Sequence, residues 1–151
     1  MSDDLHFMMG QYKAVIPQDR VYSPRHLWLQ RQENDLYRVG FTAYSVRLLQ
    51  DVYFLEWHID EDTEVREKQE IGEIESSKAL SSLFPPFAGR IHRFNPEILN
   101  DPSAINAEPY SGGWLYEFTT DESPIAAEEY VEVLQQGWET AQRTIKGQLN
   151  D

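Results

Sequence analysis

The sequence predicts a mainly β fold, a small sandwich or barrel with short peripheral helices and one C-terminal helix. Three observations predict it. Short runs rich in β-branched and aromatic residues recur between Gly, Pro, Asn and Asp turn signals. Helical spacing is sustained only once, close to the end of the chain. The 151 residues, 40% of them drawn from AVILMFWYC with eight Tyr, seven Phe and four Trp, suit one domain that removes roughly 70% of its unfolded surface from water.

Residues 1–20 show no sustained period and are expected to form a loosely attached N-terminal extension, with Ala14, Val15 and Ile16 able to lie on the domain surface. Residues 21–151 then make a single domain. Leu27 and Leu29 alternate with His26, Trp28 and Gln30, and the polar turn Glu33-Asn34-Asp35 leads into a second run from Leu36 to Phe41, so this stretch reads as a hairpin. Thr42 is a fair cap for a short helix in which Ala43, Val46 and Leu49 recur at helical spacing. The run from Asp51 to Ile59 reads as a strand ending at the acidic turn Asp60-Glu61-Asp62. Val65, Ile71 and Ile74 mark further short strands before a turn around Lys78, and Leu83, Phe84, Phe87 and Ile91 continue after it.

The Pro85-Pro86 pair removes two backbone donors and belongs at an edge or a bend. Asn95-Pro96 and Asp101-Pro102 each read as an N-cap followed by Pro at the first helical position, giving two one-turn helices. Gly112-Gly113 precedes a last strand from Trp114 to Phe118. Ser123-Pro124 reads as the start of the long helix, which ends near Gly147 and carries Tyr130, Val133, Leu134, Trp138, Ala141 and Ile145 on one face.

Thirteen Lys and Arg against 26 Asp and Glu leave a net charge of −13. That charge repels phosphate backbones and anionic lipid surfaces, so neither nucleic acid nor a membrane is an expected partner; a protein with a basic docking patch is. The absence of Cys removes disulfides, thiolate metal sites and thiol nucleophiles, which fits a reducing compartment. The opening MSDDLHFMMG has acids where a secretion signal has bases, and no apolar run approaches the ~20 residues of a membrane span, so a cytoplasmic protein is expected.

Nothing in the chain reads as catalytic. His6, His26, His58 and His92 lack the spacing of H-E-x-x-H or H-x-x-x-H, so no metal site is expected. The run Asp60 to Glu64 lacks the glycine and terminal glutamate of a calcium loop. Ser76, Ser77, Ser81 and Ser82 have no G-x-S-x-G elbow beside them, and there is no Gly-rich phosphate loop. Lys78, set in IGEIESSKALSSLF, would by itself be a solvated surface lysine.

Its surroundings say more. EIGEIESSKALSSLFPPFAGRI, followed by NPEILNDPSAINAEPYSGGWL, resembles the H-protein family of the glycine cleavage system, whose pattern runs G-x-I-E-S-V-K-A, S-P-x-x-G, N-x-x-L, D-P-x-x-I-N, P-Y and G-W-L. Tyr22, His26 and Trp28 resemble that family's Y-T-x-S-H-E-W, Val39 to Tyr44 its V-G-I-T-x-Y-A, and Ala127 to Tyr130 its A-E-E-Y. The resemblance spans about Tyr22 to Leu134, in order and spacing.

The resemblance implies a barrel-sandwich hybrid like that of lipoyl domains, with lipoic acid joined by an amide to Lys78 at the tip of a β hairpin. Glu75, Ser76, Ser77 and Ala79 would form the turn that a lipoate ligase or a lipoyl or octanoyl transferase grips. The implied role is that of a carrier and not an enzyme, shuttling intermediates among glycine decarboxylase, aminomethyltransferase and dihydrolipoyl dehydrogenase. His26, Leu27, Leu48 and Ser82 align with the cleft in which the family's loaded arm rests. Leu27 and Ser82 stand where the family has acids, Leu48 near its histidine, and Gln50 at the Gly of its L-G-D. A cleft without those carboxylates would favour a less cationic cargo. The open alternatives are an H-like lipoate-binding protein serving a sulfur-metabolising complex, a lipoate relay, and an unmodified acidic scaffold.

Overall fold

A computed structural model describes residues 3–150, with side chains through residue 140. Eleven strands and four α-helices follow one another as β1 (Leu5–Met9), β2 (Tyr12–Ile16), β3 (Val21–Ser23), β4 (Leu27–Arg31), β5 (Tyr37–Phe41), α1 (Ala43–Leu49), β6 (Val52–Trp57), β7 (Thr63–Val65), β8 (Gly72–Ser76), β9 (Leu80–Leu83), β10 (Gly89–Phe94), α2 (Pro96–Asn100), α3 (Ala104–Ala107), β11 (Tyr116–Thr119) and α4 (Ala127–Asn150). The strands form three antiparallel sheets in the orders β1-β2, β3-β4-β5-β11-β10-β7 and β6-β8-β9. The mainly β, barrel-sandwich architecture with a C-terminal helix is thus the one the sequence predicts.

One apolar core lies between the six-stranded and three-stranded sheets, where Leu29, Val39, Ile71, Ile74, Ile91 and Phe118 are fully buried. A second core, of Phe7, Ala14, Ile16, Tyr22, Trp28, Tyr130 and Leu134, joins the β1-β2 hairpin, α1 and α4 to the back of the six-stranded sheet. Trp28 faces this second core while Leu27 and Leu29 face the first, because successive strand side chains point to opposite faces.

Three sequence expectations are corrected here. Residues 5–16 are not a loose lead-in: Phe7, Met9, Ala14 and Ile16 alternate inward along a hairpin and are buried against α1 and α4. Its turn is set by Gly10, whose φ of 65° is a conformation that suits a residue without a Cβ. The long helix begins at Ala127, not at Ser123, because Ile125 stays extended and exchanges two 2.8 Å backbone hydrogen bonds with Tyr22. Asp101 does not cap α3. Its carboxylate accepts from Ser103, and the helix starts at Ala104. By contrast Thr42 and Asn95 accept from Ser45 N and Glu97 N, as N-caps do. Tyr130, Leu134 and Trp138 turn inward from α4 as expected, whereas the Ala141 and Ile145 side chains lie outside the described residues.

Candidate functional site

Lys78 stands at the tip of the β8-β9 hairpin, where the chain reverses in a loop of three residues, 77–79. Buried Ser76 builds that turn. Its amide donates to the Ala79 carbonyl at 2.9 Å, while its hydroxyl accepts from the amides of Lys78 at 3.3 Å and Ala79 at 3.4 Å. One side chain therefore satisfies amides that a tight reversal would otherwise leave bare. The Ser77 amide donates to the Asp51 carbonyl at 2.8 Å, tying the tip to the start of β6.

Ser77, Lys78 and Ala79 are exposed, and Lys78 makes no ion pair among the described residues. Its amine is therefore held by neither burial nor a carboxylate. The nearby acid Glu75 is occupied elsewhere, accepting a 3.1 Å hydrogen bond from the Tyr53 hydroxyl. At the root of the hairpin, Gly72 lies so close to β6 that a Cβ there would meet the Glu56 carbonyl at 2.5 Å.

A second feature sits at the root. A cavity of about 260 Å³ opens between the two larger sheets, lined by Leu27, Phe41, Trp57, Leu83 and Tyr116, with Arg25, Ser82 and Phe84 among the residues at its walls. No carboxylate lines it. The Trp57 indole nitrogen and the Tyr116 hydroxyl, both on lining residues, are buried without a hydrogen-bond partner among the described residues. Burial without a partner pushes the Tyr116 hydroxyl above the ordinary tyrosine range.

Of the four residues aligned with a cleft, the structure brings together only Leu27 and Ser82. His26 is turned away. It sits at a φ of 69°, its ring packs beside Tyr44 at 4.8 Å between centroids, and its Nδ1 lies 3.0 Å from the Tyr130 hydroxyl, in the second core. Leu48 is 45% exposed on α1 and does not line the cavity. Trp57, Phe41 and Tyr116 carried no sequence signal for the cavity, since each reads as an ordinary strand residue.

Residues 20–145 match the family model described as glycine cleavage H-protein. Glycine cleavage system H proteins of Mycobacterium tuberculosis and Streptomyces coelicolor are each 36% identical to it. The first aligns over 114 residues, 76% of this chain and 84% of the relative, and the second over 117 residues, 76% and 93%. A crystal structure of the glycine cleavage system H protein from Mycobacterium marinum superposes with a TM-score of 0.69 at 32% identity, covering 81% of this chain and 99% of that one.

Proposed function

The chain belongs to the glycine cleavage H-protein family, and from that premise we propose that lipoic acid is carried as an amide on Lys78. Family membership makes the protein a non-catalytic lipoyl carrier of glycine cleavage. The observation that supports Lys78 as the attachment point is its exposed, unpaired side chain at the apex of a turn whose other residues are small. An attaching enzyme needs that access on all sides, and Ser76 keeps the tip in one conformation while Ser77 and Ala79 leave it uncrowded. The lysine nitrogen loses its charge on acylation, at no cost in a broken ion pair.

When bound, the cofactor supplies a dithiol and disulfide to a chain that has no cysteine of its own. The partners that follow from this reading are a lipoate ligase or a lipoyl or octanoyl transferase, then glycine decarboxylase, aminomethyltransferase and dihydrolipoyl dehydrogenase. The test is intact mass after incubation with lipoate ligase, ATP and lipoate. One lipoyl group per chain is expected, and none on Lys78→Arg. A lipoyl group on Lys13, Lys68 or Lys146 instead would overturn the assignment, and a Lys78 that stays free would favour the scaffold reading.

The cavity bears on how firmly a loaded group is held. Its lining gives a cationic amine no carboxylate. A desolvated ammonium there would be uncompensated by several kcal/mol. The lipoylated protein is therefore expected to support exchange of labelled bicarbonate into glycine more slowly than its relatives do with the same decarboxylase. Exchange at an equal rate would show that the cavity does not govern cargo retention.

A further inference from the structure

The outer surface of the β6-β8-β9 sheet gathers one histidine and three carboxylates that are scattered in the sequence. Glu56 and Glu73 stand directly opposite each other in the antiparallel register of β6 and β8. Like charges so placed repel. His58, just past the end of β6, is fixed by its amide donating to the Ile71 carbonyl at 2.9 Å. Its Nδ1 lies 2.8 Å from a Glu70 carboxylate oxygen, and its Nε2 lies 3.4 Å from Glu73 Oε1. The second oxygen of Glu70 accepts from the Ser82 hydroxyl at 3.0 Å, which fixes Glu70 in turn.

Without a metal ion the two carboxylates favour the imidazolium, which donates to both; with Nδ1–H kept on Glu70, loss of the Nε2 proton turns a ligand lone pair toward Glu73. One donor atom from each of Glu56, His58 and Glu73 can be chosen so that all three lie within 4.8 Å of one another. Two ligands about 2.1 Å from a tetrahedral metal lie about 3.4 Å apart, which is the separation found between His58 and Glu73. Glu56, exposed on the strand, closes the remaining gap by rotating its side chain. Glu70 then plays the part of the carboxylate that orients a metal-binding histidine through its other ring nitrogen.

We propose that Glu56, His58 and Glu73 form a binding site for one divalent transition-metal ion of the Zn²⁺ type, with Glu70 as the positioning residue for His58. One imidazole and two carboxylates select such an ion over Mg²⁺ or Ca²⁺, which prefer sets made of oxygen alone. Because Glu70 is tied to Ser82 on β9, the ion links all three strands of the sheet that presents Lys78. It acts as a clamp at the base of the hairpin and not at its tip.

The test is calorimetric titration of Zn²⁺ into tag-free, full-length Lys78→Arg protein, so that no lipoyl thiol competes. One ion per chain is expected, with affinity lost in His58→Gln and in Glu73→Gln, and reduced roughly 10- to 100-fold in Glu70→Gln. Mg²⁺ and Ca²⁺ should bind far more weakly, and Zn²⁺ should raise the melting temperature of the parent but of neither ligand variant. All four side chains are on the surface, so the variants are expected to fold, and circular dichroism checks this. No binding by the parent overturns the proposal, as does binding that survives in both ligand variants.

Discussion

At the scale of single residues, His26 shows how the face on which a residue falls decides what its side chain can do. Aligned by sequence it belongs to a cleft beside Leu27. Alternation along the chain instead puts its ring on the face opposite Leu27, with Trp28 and against Tyr44 and Tyr130, and its backbone turns the corner before β4 at a left-handed φ of 69°. No sequence pattern announced that angle. The consequence is a half-buried imidazole whose pKa desolvation holds below the ordinary histidine value of 6.5. The unfolded chain therefore binds a proton more readily than the native one. His26 contributes stability that is fully present above the unfolded pKa and is lost as the pH falls from there through the lower folded value. Thermal melts from pH 7.5 to 5 should show the melting temperature falling, and His26→Gln should flatten the part of that slope that begins near pH 6.5. An unchanged slope in the variant would mean that His26 stays partnered when protonated.

At the scale of elements, what was legible is what is encoded locally. The Thr42 and Asn95 caps and the Lys78 turn each depend on residues a few positions apart and stand where the sequence places them, whereas the strand ends shift, the last strand running from Tyr116 to Thr119 and not from Trp114. The β1-β2 hairpin was hidden because exposed Met8 and half-buried Val15 are as apolar as their inward neighbours, which blurs the alternation. The start of α4 was misplaced because a long-range partner, Tyr22, holds Ile125 extended. The cavity and the Glu56-His58-Glu73 group are assembled by pairing between strands, so no spacing along the chain could list their members. For the β8-β9 hairpin the local code is Ser76, whose hydroxyl serves three backbone groups of the turn. Ser76→Ala should cost about 1–2 kcal/mol in urea unfolding, since at least one turn amide loses its partner. Lipoylation of the variant should slow, through a less ordered Lys78, while Ser76→Thr should retain both properties. Equal stability of Ser76→Ala and the parent would assign the turn to its backbone bonds alone.

At the scale of the whole molecule, two cores divide the labour. The core between the larger sheets carries the Lys78 hairpin, and the aromatic core behind Trp28 ties α4 and the first hairpin to the other side. Around both runs a surface with a net charge of −13, within which Lys78 is an exposed cation at a protruding tip. A field of that sign draws in proteins with basic docking surfaces before any short-range contact forms, and ions in solution weaken it over a Debye length of about 8 Å at physiological ionic strength. Its effect belongs to encounter and not to chemistry. Raising NaCl from about 0.05 M to about 0.5 M should therefore lower kcat/KM for lipoylation severalfold while leaving kcat nearly unchanged, because steering acts on the association rate. The hairpin's own acids, Glu73 and Glu75, lie close enough to take part, so replacing both with Gln should shrink the salt dependence without altering the salt-independent limit. A kcat/KM indifferent to salt would place recognition in the uncharged turn residues alone, and the acidity of the chain would then serve solubility.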